Sequence, residues 1–130
     1  MTQSRENSPP KLSEADFQDT LDCIVERDPR FKRDSYIFVL EALENTVRKR
    51  PQPGHVTGKE LLYGIKDFAN DKFGPMVRTV IDHWGVNETI DFGHIVYNLL
   101  DHKILSKTEN DSLDDFKDIF EFDKAFGKVN

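Results

Sequence analysis

Apolar residues recur at spacings of three and four in five stretches of the chain, and a proline or glycine closes four of them. That period belongs to an α-helix with one buried face, so the chain is predicted to fold mainly as short helices around a shared core. Ser13 offers an N-cap for the first helix, with Phe17, Leu21, Ile24 and Val25 as its stripe. Cys23 sits at the edge of that stripe and reads as a small core or boundary residue. Asp28-Pro29-Arg30-Phe31 breaks the helix, and Asp34 can cap the second. The second presents Tyr36, Val39, Leu40, Leu43 and Val47, and ends in Arg48-Lys49-Arg50, where the helix dipole favours positive charge.

Pro51-Gln52-Pro53-Gly54 reads as a linker. Thr57 and Glu60 have capping-box spacing, and the third helix buries Leu61, Ile65, Phe68 and Ala69 and ends near Phe73. Gly74-Pro75 stops it, and Pro75 suits the first position of a fourth helix running through Val77, Val80, Ile81 and Trp84 to a stop at Gly85. A fifth starts near Thr89 and carries Phe92, Ile95, Val96, Leu99 and Leu100. After His102-Lys103 the period is lost. Ile104–Thr108 reads as a short strand, 109–112 as a turn, and Phe116, Phe120 and Phe122 as a returning strand, although Phe116 and Ile119 also suit a helical turn.

The expected fold is therefore mainly α: five or so helices with a short C-terminal β-hairpin, winged-helix-like in its second half. A plain helical bundle is the alternative. Residues 1–12, polar and closed by Pro9-Pro10, read as a disordered tail. Residues 13–123 read as one globular domain, with 89–123 as its helix plus wing, and 124–130 as a second tail.

A chain of 130 residues can bury a core without a disulfide or metal staple, and its one cysteine can make no internal disulfide. It has no apolar run long enough for a membrane span and no apolar signal core at its start, so a cytoplasmic protein is expected. The net charge of −6 is uneven: residues 1–66 hold 11 basic and 11 acidic side chains, and residues 67–130 hold 7 and 13.

Asp91-Phe92-Gly93 matches a kinase metal-binding loop, but the Gly-rich loop, strand lysine and catalytic-loop aspartate that such chemistry needs are missing. Asp91 reads instead as a first-turn acid, Phe92 as core, and Gly93 as a residue permitting close helix packing. The acids of 109–115 could suit calcium, but no glycine lies between Gly93 and Gly127 to turn an EF-hand loop. His94 and His102 are eight apart on one helix, about 12 Å along its axis, too far to share a metal. No cofactor motif and no metal-ligand set is read.

The fifth helix and the turn after it carry Asp91, His94, Asn98, His102, Glu109, Asp111, Asp114 and Asp115. Acids on both elements oppose phosphate, so this half suits a protein or ribonucleoprotein partner better than DNA. The leading expectation is a non-enzymatic interaction module using that surface. A nucleic-acid binder using Arg30, Lys32, Arg33, Arg48, Lys49 and Arg50 is the alternative, and a small hydrolase or lyase built on acids and histidines is a third reading.

Several segments also resemble a known family. They are Asp28-Pro29-Arg30-Phe31, Tyr36 with Phe38–Leu43, His55-Val56-Thr57-Gly58 with Glu60-Leu61-Leu62, Phe73-Gly74-Pro75, Trp84-Gly85-Val86, Asp91-Phe92-Gly93, Leu105–Glu109 and Phe122-Asp123. Together they are similar to a small uncharacterised bacterial family associated with planctomycetes and verrucomicrobia. The similarity covers roughly residues 15–127. It implies a bacterial, single-domain, mostly cytosolic protein, and brings no activity, ligand or site residue.

Overall fold

The computed structural model describes residues 13–52, 54–106 and 112–128. Six α-helices follow in order: α1 (Glu14–Arg27), α2 (Arg33–Lys49), α3 (Gly58–Phe73), α4 (Val77–His83), α5 (Thr89–Asp101) and α6 (Phe122–Phe126), with 3₁₀ turns at Gly74–Met76 and Leu113–Phe116. Helix α2 is the hub and packs chiefly on α3 and α5. Its five consecutive apolar residues, Tyr36–Leu40, cannot all face one side of a helix, and the buried arc takes in Ser35, Phe38 and Ala42 as well as Tyr36, Val39 and Leu43. Val47, expected on the buried face, is 39% exposed, and Cys23 on α1 is exposed rather than a boundary residue.

The end signals at Ser13, Thr57 and Gly85 act as their chemistry requires, whereas Asp34 does not cap α2: it lies inside the first turn, and the N-cap Lys32 makes no side-chain capping bond. Ser13 Oγ accepts the Asp16 N–H at 3.1 Å. Thr57 Oγ1 accepts from Glu60 N at 3.1 Å, and Glu60 Oε1 accepts from Thr57 N at 3.3 Å, closing the box. Helix α4 ends in a Schellman motif: Gly85 N donates to Asp82 O (3.0 Å), Val86 N donates to Ile81 O (3.3 Å), and Gly85 takes φ +86°. Pro75 falls in the 3₁₀ turn rather than in the fourth helix, which starts at Val77. Helix α5 starts at Thr89 as expected, with Glu88 as its N-cap.

The β-hairpin and the winged-helix-like second half are corrected: no strand occurs among the described residues, and the helical class alone holds. The reason starts at the end of α5. Lys103 N donates to Leu100 O (3.1 Å) and Ile104 N to Leu99 O (2.9 Å), with Lys103 at φ +62°. This second Schellman closure turns the chain back on its own helix and uses the N–H groups that a strand would offer to a ladder. Residues 107–111, the rest of the expected strand and turn, lie outside the described residues, as do 1–12 of the N-terminal tail.

The phenylalanines of the expected returning strand instead fill the core from a 3₁₀ turn and α6. Phe116 is fully buried between two helices at glycines: a Cβ on Gly93 would lie 2.8 Å from Phe116 Cβ, and one on Gly58 3.0 Å from its ring. The buried Thr89 hydroxyl donates to Phe116 O (2.6 Å) and accepts from Ile119 N (3.1 Å), fixing this segment to the start of α5. Helix α6 reaches into the stretch read as a tail. Phe126 is buried, Asn70 Nδ2 donates to Ala125 O (3.0 Å), and Arg78 Nη1 donates to Asp123 Oδ1 (2.8 Å) and Gly127 O (2.6 Å).

Candidate functional site

The residues expected to form an acidic partner surface divide between folding roles and solvent. Asp91 Oδ2 accepts the N–H groups of Asn87 (2.9 Å) and Glu88 (3.2 Å) and so caps α5. Asp115 Oδ2 accepts from Ser112 N (3.1 Å) and caps the 3₁₀ turn, while Asp114 is exposed beside it. His94 is half-buried, and His102 places Nδ1 2.9 Å from Asn98 O. Glu109 and Asp111 lie outside the described residues.

Asn98 belongs to a polar node across the α1–α2 junction. Its Nδ2 donates to Asp28 Oδ2 (2.9 Å) and Tyr36 Oη (3.0 Å). The Asp28 carboxylate also takes two charge-assisted bonds from Arg30, Nε to Oδ1 (2.8 Å) and Nη2 to Oδ2 (2.7 Å). The Arg30 guanidinium, helped by Asn98 and opposed by burial, holds the Asp28 carboxyl well below the usual carboxylate range, and burial pushes the Tyr36 phenol up.

A depressed carboxyl stabilises the fold fully above its unfolded-state value, about 3.9, and that contribution is lost as pH falls below it toward the folded value. Asp28→Asn is therefore expected to cost about 1–2 kcal/mol at neutral pH, a figure kept small because Arg30 is half-exposed. Its stability should also fall less steeply than the wild type's below about pH 4. Urea melts at pH 7 and pH 3 check this; parallel losses in the two proteins would contradict it.

The basic residues of the nucleic-acid alternative form no single patch. Arg30 is held by Asp28, Arg33 by Asp22 (3.2 Å), Arg48 by Glu44 (3.7 Å) and Arg50 by Glu60 (3.1 Å), while Lys32 and Lys49 are exposed. The two groups stand at opposite ends of α2, about 24 Å apart along its axis.

A different feature has the form of a binding site. Between α2 and α4, closed at one end by the last turn of α3, runs an open groove of about 560 Å³. Ile37, Phe38, Phe73, Val80 and Trp84 line it with apolar surface. The rings of Phe38, Phe73 and Trp84 touch one another, with centroids 5.1–5.7 Å apart, so they form a packed floor rather than a cage. Asp34, Glu41, Thr79 and His83 stand around it, and Lys72 closes the α3 end with Nζ 3.4 Å from Glu41 Oε1. A second recess of about 600 Å³, between Leu40, Leu43, Val47 and Leu105, has no aromatic floor.

Sequence spacing missed the groove because Ile37 and Phe38 fell off the stripe read for the second helix, Phe73 was read as a helix end, and Val80 and Trp84 were read as one buried face of the fourth. The available signal was the uninterrupted Tyr36–Leu40 run, which places apolar side chains on the far flank of α2. Among the described residues, no group of three or more His, Cys, Asp or Glu side chains could hold a metal ion, and no helix is long and apolar enough to cross a membrane. Comparison of the chain with protein-family models, curated proteins and solved structures returns no match.

Proposed function

We propose that the protein is an interaction module that docks a segment of a protein partner in the groove between α2 and α4. The supporting observation is the groove's lining, in which half-buried Ile37, Phe73 and Val80 lie over the buried Phe38 and Trp84 and polar side chains ring the edge, an apolar centre with a polar rim as in protein-recognition surfaces. The α5 surface serves this purpose less well. Asp91, Asn98 and Asp115 already accept or donate bonds that hold the fold together, so a partner there would compete with those bonds. The half-buried Ile37, Phe73 and Val80 side chains hold the fold by packing, so a partner set against them meets no such competition.

Ile37 and Val80 are half-buried, so a carboxylate at either position spoils the floor with modest cost to folding. Ile37→Glu and Val80→Glu are each expected to weaken partner retention roughly ten-fold or more, as for central contacts of other interfaces. The check is quantitative capture from cell extract treated with nuclease, with thermal melts of each variant. Tyr63→Glu, on the exposed face of α3, is the control. The reading fails if the folded groove variants retain the same proteins as the wild type. Loss of all partners on nuclease treatment of the wild type would move the function to a ribonucleoprotein.

A further inference from the structure

We draw no further inference here: the strongest candidate, the apolar groove between α2 and α4, belongs to the site already described, and nothing in the structure shows what covers it.

Discussion

Truncating Phe116 to alanine is expected to cost about 3–5 kcal/mol, the largest effect of any single substitution considered. The ring is fully buried and lies between Gly58 at the start of α3 and Gly93 within α5. Two of its walls are glycine backbone, with no side chain of their own to fill the space. The loss therefore combines the transfer free energy of the ring with that of the cavity it leaves. Denaturant melts give the value, and a loss under about 1.5 kcal/mol would show that the site relaxes.

Gly93→Ala tests the same packing from the other side. In an open helix this change gains about 1 kcal/mol, but here the new methyl would meet Phe116 Cβ at 2.8 Å, an atom tied to backbone. The expected sign is destabilising, and a more stable Gly93→Ala variant would contradict the arrangement.

Gly85→Ala is expected to cost about 2–4 kcal/mol for two separable reasons. The residue has φ +86°, which an alanine adopts at a penalty, and an added Cβ would lie 2.3 Å from Arg30 O. That contact sets the methyl against main chain, which cannot swing aside as a flexible side chain could. Relieving it pulls the α1–α2 junction away from α4 and stretches the Lys32 N to Trp84 O bond of 3.1 Å. Asparagine, which tolerates positive φ, separates the two causes. If the close approach dominates, Gly85→Asn is destabilised as much as Gly85→Ala in the same melts. If backbone conformation dominates, asparagine recovers most of the loss. Near wild-type stability for both would mean that the two segments do not touch in solution.

Much of this was legible in the sequence. Thr57 and Glu60 marked the start of α3, Gly85 the end of α4, and Asp91 the first turn of α5. The segment after α5 was misread because its signals are nearly symmetric: Phe116, Phe120 and Phe122 alternate like a strand, yet Phe116 and Ile119, and Phe122 and Phe126, keep helical spacing. Short apolar runs do not decide between the two periods. The α5 surface was chosen by charge and amide content, and charge alone does not reveal that Asn98 faces Asp28 and Tyr36.

The division follows from the range of the forces. Sequence alone determined the helical class and many of the helix ends, because caps and Schellman closures are hydrogen bonds between residues at most five apart. Tertiary structure decided where Phe116 inserts, how Asn98 joins residues 62 and 70 positions away, and which flanks of α2 and α4 are left to form a groove. Those outcomes depend on how the helices fit against one another, and the spacing of residues along a single helix carries no record of that fit.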